Sequence, residues 1–370
     1  MKQLSDYQAL SSEELIDRIQ AVRAQAGNRL TILAHYYCMD EVVALADFVG
    51  DSLALSQKAA ATDNTEAVLF CGVYFMAETA DILLNLPKGL AQRDGRRIPV
   101  MLADIDAGCP MADMVTAAQA IDCQAQLEQI LDFDEFTPIT YINSSAATKA
   151  FCGDCSGAVC TSANAARILR WAFDRRPRVL FLPDQHLGRN TALAMGIDPK
   201  DILVWDPAEP RFGGNTIEAV KNAKVILWKG CCPIHQKFSA ELVRQVRANR
   251  PEAQIWVHPE CPNEIVRQCD GAGSTTKLIQ VVNDAPAGAV LAIGTESKLV
   301  NRLKNANPDK TFLPLCDVPA FCADMRKNTL ANMAWVLENW SNGTPVNVVS
   351  VEKDEAASAY QALRQMLDIK

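Results

Sequence analysis

Short apolar runs, each closed by a polar residue, recur along this chain and alternate with stretches of helical spacing. Ile32-Leu33-Ala34 runs into His35, Tyr141-Ile142 into Asn143, and Trp256-Val257 into His258. Each is followed by a serine that opens a helical pattern: Ser52, Ser162 and Ser274. A second apolar run comes next, Val68-Leu69-Phe70, Val179-Leu180-Phe181 and Val290-Leu291-Ala292, and then a third, Val100-Met101-Leu102, Val225-Ile226-Leu227 and Phe312-Leu313. Each third run precedes a cysteine: Cys109, Cys232 and Cys322. Strands separated by helical stretches of this length predict parallel pairing with crossover helices, hence α/β/α layers. Four landmarks in the same order three times predict an internal repeat. The expected architecture is α/β, with three pseudo-threefold-related units of short parallel sheets around a central active-site cavity.

The pattern divides the chain into an N-terminal helix (1–27), three α/β repeats (28–112, 113–236 and 237–340) and a C-terminal extension packing back on the core (341–370). The first helix carries a Ser11-x-x-Glu14 capping box. The middle repeat holds an insertion around residues 207–215. Units of this kind present functional residues at the carboxyl ends of their strands, so the three loop sets are expected to face one cavity. Gly50 and Gly153 are the expected hinges if a loop closes over it.

The chain has 13 cysteines, and the three in register are the informative ones. Pro110 and Pro233 suit a first helical position, which predicts Cys109 and Cys232 as N-caps whose thiolates see helix-end N–H groups. Three thiolates suit a 4Fe–4S cluster with one iron open to act as a Lewis acid. A rival ligand set is Cys152-x-x-Cys155-x4-Cys160, which belongs to one repeat only and reads as structural. A structural zinc site would need paired ligand spacing, which is lacking. Cys38, Cys71, Cys123, Cys231, Cys261, Cys269 and Cys316 read as packing or surface residues.

Composition narrows the function classes. A net charge of −8 argues against nonspecific nucleic-acid binding but leaves room for a small anion in a locally positive pocket. No apolar run approaches the ~20 residues that span a bilayer. The N-terminus lacks the apolar core of a signal peptide, so a cytoplasmic protein with reduced thiols is expected.

The motifs AHYY (34–37), FVGDSL (48–53), GVYFMAE (72–78), GCPMA (108–112), YIN (141–143), CTSAN (160–164), PDQHLG (183–188), CCPIHQKF (231–238), HPECP (258–262), GST (273–275) and IGTE (293–296) stand in order along the chain. With Cys322-x-x-Met325-x-x-Asn328-Thr329-Leu330, they resemble the quinolinate synthase family from about residue 28 to 340. The resemblance implies condensation of iminoaspartate with dihydroxyacetone phosphate to quinolinate, an NAD precursor, with loss of phosphate and water. It implies a 4Fe–4S cluster on Cys109, Cys232 and Cys322. The Cys231-Cys232 doublet leaves the middle ligand ambiguous by one position; Cys232 is favoured because it precedes Pro233 and stands three before His235.

The same resemblance implies that Ser52, Ser162, Ser274 and Thr275 bind carboxylates and phosphate, with Thr161 nearby. His35, His235 and His258 would bind substrate and move protons, Glu260 would be the general base, and Tyr37 would donate a proton or stabilise an enolate. Tyr141 and Asn143 would orient the intermediate. His186 fits either a site role or a helix-entry turn. An iminoaspartate-producing oxidase is the expected supplier of substrate, and no nucleic acid or membrane partner is expected. Rival functions are an aconitase-like 4Fe–4S hydro-lyase and, from another class, an electron-transfer or cluster-scaffold protein.

Overall fold

The computed structural model describes residues 3–61 and 65–369. The first sheet contains β1 (Leu30–His35), β2 (Phe48–Gly50), β3 (Ala67–Cys71) and β4 (Val100–Leu102). The second contains β5 (Phe136–Tyr141), β6 (Ala158–Cys160), β7 (Arg178–Leu182), β8 (Ile202–Trp205) and β9 (Val225–Trp228). The third contains β10 (Gln254–Val257), β11 (Gly271–Ala272), β12 (Val290–Gly294) and β13 (Thr311–Leu313), and β14 (Val348–Val349) joins the first. Strand orders are β14-β4-β3-β1-β2, β6-β5-β7-β9-β8 and β11-β10-β12-β13. Every pairing is parallel except β14 against β4. The expected α/β class, built from several short, mostly parallel sheets, is therefore borne out.

The apolar runs form strands because helices cover both sheet faces, which removes the usual polar alternation. All residues of β3, β5 and β12 are buried. In each sheet the first strand of the repeat is interior, flanked on one side by the short strand that follows it (β2, β6 or β11) and on the other by the strand of the second apolar run (β3, β7 or β12). Strand order thus reverses beside β1, β5 and β10, where an open α/β sheet leaves a crevice at its carboxyl edge. The middle sheet adds β8 at its edge, and a one-turn 3₁₀ helix (Phe212–Gly214) follows within the expected insertion.

Two compact units are defined by the chain's contacts. One runs to Cys109 and resumes over Cys322–Lys353. It holds the first sheet, and its Ser12–Ala26 helix begins with the predicted capping box. Tyr7 donates to Glu338 at 2.6 Å, and Arg18 reaches the other Glu338 oxygen at 2.9 Å, fastening the N-terminal helices to the Leu330–Ser341 helix. The other unit runs over Pro110–Phe321 and resumes at Asp354. It holds the second and third sheets. Within it, Gly153 lies inside the Ala146–Asp154 helix rather than in a hinge loop, and a Cβ there would sit 1.8 Å from the Ser358 carbonyl oxygen. Its glycine is a close-approach residue between helices.

The repeat extends to atomic detail. Three residues after each of Cys109, Cys232 and Cys322 begins a one-turn 3₁₀ helix: Ala112–Met114, His235–Lys237 and Met325–Lys327. Seven residues after each stands a hydroxyl N-cap, Thr116, Ser239 and Thr329, which accepts a backbone N–H of the following α-helix. The carbonyl two residues before each cysteine accepts the N–H of the residue that opens the helix after the second strand. These bonds are Tyr74 to Ala107 at 2.8 Å, Gln185 to Gly230 at 2.9 Å, and Ser297 to Ala320 at 3.1 Å.

This register corrects the capping expectation for the cysteines. They precede tight turns, and the helices that follow are capped by the hydroxyls seven positions on. Of the three serines expected to open helices, only Ser274 is an N-cap, accepting the Lys277 N–H at 3.3 Å. Asp51 caps the Ser52–Ala60 helix through its carboxylate, leaving Ser52 as the first helical residue. The Ala165–Phe173 helix begins after Asn164, whose side chain instead accepts the Thr161 N–H at 2.7 Å and hydroxyl at 3.1 Å. Ser162 lies in the turn between them. Asp and Asn compete with Ser for cap positions on nearly equal terms, so adjacent candidates are not separable by residue type.

Candidate functional site

The first strand of each repeat ends in a pair of polar side chains two residues apart: His35 and Tyr37, Tyr141 and Asn143, His258 and Glu260. Repeats one and three use the same local turn. The Tyr37 N–H donates to His35 Nδ1 at 3.2 Å, and the Glu260 N–H approaches His258 Nδ1 at 3.4 Å. His35 is buried, and its ring meets Tyr37 edge-on at 4.6 Å between centroids. Ser52 is half-buried in the same unit.

That unit also brings together the loops of Cys109 and Cys322, both half-buried. The Gly108 N–H donates to Asp324 at 3.2 Å. Lys327 ties Asp324 at 2.8 Å to the Asp106 carbonyl at 2.6 Å, so one lysine braces both loops. Asn328, fully buried, accepts the Gly72 N–H at 3.0 Å and donates to the Gly72 and Met325 carbonyls at 3.0 and 3.1 Å.

The second unit assembles Tyr141, His235, His258 and Glu260 into one buried group. The Tyr141 hydroxyl donates to Glu260 Oε1 at 2.7 Å. His235 Nε2 lies 3.7 Å from Glu260 Oε2, and the His235 and His258 rings stack with centroids 4.5 Å apart. Burial pushes the Glu260 carboxyl up to about 7, against hydrogen bonds from Tyr141 and Cys232 that favour its ionised form. Burial also pushes His235 down to about 3, so its imidazole is neutral. Its Nδ1 is buried with no hydrogen-bond partner among the described residues, as is Asn143 Oδ1. A carboxyl poised near neutrality beside two imidazoles and a phenol can exchange protons with a bound substrate.

Ser274 and Thr275 are buried at the N-terminus of the Thr275–Asp284 helix, and Ser162 is half-buried. His186 lies in the first turn of the Gln185–Ala194 helix, its pKa lowered by burial and by Arg189, in keeping with the helix-entry reading.

Two residues that the pattern did not single out support this group. Asp184, fully buried at the end of β7, caps the Gln185–Ala194 helix by accepting the His186 and Leu187 N–H groups at 2.7 and 2.9 Å. The Cys232 N–H is a further donor to its carboxylate, whose pKa is raised by burial and then by the charge of Glu260. Asn190 donates to the Pro259 and Cys261 carbonyls at 2.7 and 2.8 Å, gripping the loop on both sides of Glu260. A signal for the first existed: Asp184 and Glu296 both follow a second strand and cap the next helix.

Cys109, Cys232 and Cys322 are each half-buried, and each stands three residues before the 3₁₀ helix of its own repeat. Cys152, Cys155 and Cys160 differ: all are buried, and burial raises their thiols, Cys155 to about 11. Among the described residues the one group of candidate metal ligands within 4.8 Å of one another is Cys232, His235 and Glu260. No helix among the described residues is long and apolar enough to cross a membrane.

Residues 17–368 match the family described as quinolinate synthetase A protein. A quinolinate synthase of Rhodopirellula baltica is 47% identical over 99% of this chain and 94% of its own length. Quinolinate synthases of Herpetosiphon aurantiacus and Corynebacterium glutamicum are 46% and 44% identical, each over 98% of this chain and over 95% and 90% of their own lengths. With nearly the whole chain matched, and with the motifs lying on equivalent strand ends and loops, this enzyme belongs to the quinolinate synthase family.

Proposed function

We propose that the chain condenses iminoaspartate with dihydroxyacetone phosphate to form quinolinate, releasing phosphate and water, with a 4Fe–4S cluster held by Cys109, Cys232 and Cys322. The observation that carries this reading is the buried Glu260 between Tyr141, His235 and His258, a proton-exchanging centre one hydrogen bond from Cys232. When bound, the cluster supplies a Lewis acid for substrate oxygens through an iron without a protein ligand.

The chain's own residues do the rest. Glu260 accepts a proton at Oε2 while Tyr141 holds Oε1, so the carboxylate keeps one orientation through the reaction. The neutral imidazole of His235 and the ring of His258 offer hydrogen bonds to substrate carboxylate and carbonyl oxygens. Ser274, Thr275 and Ser162 supply hydroxyls and backbone N–H groups for the anionic ends of the substrates, while His35, Tyr37 and Ser52 do so from the first repeat. Asn143, with an unpartnered carbonyl oxygen, accepts from the imine or amine nitrogen. Burial of these groups limits hydrolysis of the imine. An oxidase acting on an amino dicarboxylate would supply that short-lived substrate in the cytoplasm.

The test is anaerobic purification with iron and sulfide analysis, followed by quinolinate formation from the two substrates. About four irons per chain are expected, with loss in each of Cys109→Ser, Cys232→Ser and Cys322→Ser. Full cluster retention in all three variants would reject the ligand set. An intact cluster without quinolinate formation would reject the reaction, and dehydration of a hydroxy acid in its place would indicate a hydro-lyase.

A further inference from the structure

The Cys232 sulfur, a His235 ring nitrogen and a Glu260 oxygen lie within 4.8 Å of one another, all in one compact unit. We propose that, in the chain lacking its cluster, these three side chains form a mononuclear site for a divalent cation of the zinc class, with a fourth position open to water. The site goes beyond the cluster reading, because it uses one cluster cysteine together with two residues that are not cluster ligands.

Five features support it. The donor set of thiolate, imidazole and carboxylate is one that zinc takes, at about 2.3 Å to sulfur and about 2.0–2.2 Å to nitrogen and oxygen. Tetrahedral ligands at those lengths stand roughly 3.3–3.7 Å apart, and His235 Nε2 and Glu260 Oε2 already stand 3.7 Å apart. Charge balances as well: one thiolate and one carboxylate neutralise a dication in a site where His235 and Glu260 are each about 2% exposed. Supporting contacts are present too. Tyr141 fixes the Glu260 oxygen that zinc does not need, and the His258 ring stacks on His235 and sets its plane. Half-buried Cys232 provides the way in from solvent.

Binding displaces a thiol proton, and the carboxyl proton where Glu260 is protonated, into solvent; the metal keeps its oxidation state. Because Cys232 cannot serve a zinc ion in this geometry and the cluster at once, zinc at this site blocks cluster assembly. Both states compete for one sulfur.

The test uses the full chain stripped of iron, kept reduced and anaerobic, and titrated with zinc against a chromophoric chelator. One ion per chain is expected to outcompete other thiols, with affinity reduced by about 100-fold or more in His235→Ala and in Glu260→Gln. Cys231→Ser should leave it unchanged. Cobalt in the wild-type chain should give thiolate charge-transfer bands together with intense four-coordinate d–d bands, which independently reports the ligands if a variant misfolds. Equal zinc affinity in wild type, His235→Ala and Glu260→Gln, or octahedral cobalt without thiolate bands, would overturn the site. Zinc content is read without any turnover, so this proposal and the cluster reading can fail separately.

Discussion

Replacing Glu260 by Gln separates chemistry from packing. Glutamine has nearly the same shape, and its amide oxygen can still accept the Tyr141 hydroxyl that now sits 2.7 Å from Oε1. What it lacks is a basic oxygen at the second position. Removing a positioned general base costs about 10²–10⁴ in rate, equivalent to about 3–5 kcal/mol of barrier. Stability should move the other way. The folded carboxyl is raised from 4.5 to about 7, so the native state holds this proton more tightly than the unfolded chain. Stability from that proton is full below the unfolded pKa and falls as pH rises from about 4.5 to 7, a penalty of up to about 3 kcal/mol at higher pH. Gln cannot ionise and escapes the penalty. In metal-free protein at pH 8, Glu260→Gln should therefore unfold no more easily than wild type, and near pH 4 the difference should vanish. The activity assay is the initial rate of quinolinate formation under anaerobic conditions, normalised to iron content. A kcat within threefold of wild type at matched iron would refute the role of Glu260, and a variant markedly less stable at pH 8 would refute the electrostatic reasoning.

Three other substitutions probe the scaffold. Gly153→Ala would force a Cβ to 1.8 Å from the Ser358 carbonyl; thermal unfolding should register a loss of about 1–3 kcal/mol or more, with proteolysis first at the Lys353–Asp368 helix. Asn190→Ala removes the grip on the Pro259 and Cys261 carbonyls; kcat should fall about tenfold, while iron content at purification stays near wild type. Asn328→Ala leaves the Gly72 N–H and two carbonyls unsatisfied in the interior, costing about 2–4 kcal/mol in a denaturant titration and speeding iron loss to a chelator.

The strands were legible because a parallel sheet buried on both faces writes itself as an uninterrupted apolar run, and β3, β5 and β12 are of that kind. The polar residues that end β1, β5 and β10 were legible for the complementary reason: at a carboxyl strand end a buried polar side chain needs a partner. Helix starts were harder. Asp51 and Ser52 are both good caps and only backbone geometry decides between them, while Asn164 displaced Ser162 by the same kind of local competition. Asp184 and Asn190 stayed hidden because their roles rest on pairings across the fold, such as Asn190 with Cys261, 71 positions away. Residue type and spacing carry no record of such a pairing.

The cysteine doublet is the instructive intermediate case. Sequence leaves Cys231 and Cys232 one position apart, separable only by the proline that follows and by the distance to His235. Backbone register separates them on different grounds. Counting back from the 3₁₀ helices at Ala112, His235 and Met325 by three reaches Cys109, Cys232 and Cys322. Counting forward by two from the carbonyls of Ala107, Gly230 and Ala320, each bonded to a helix-opening N–H, reaches the same three residues. Cys231 satisfies neither count. Two independent backbone markers in three copies make the register over-determined, so a one-residue slip would have to break both in the middle repeat alone.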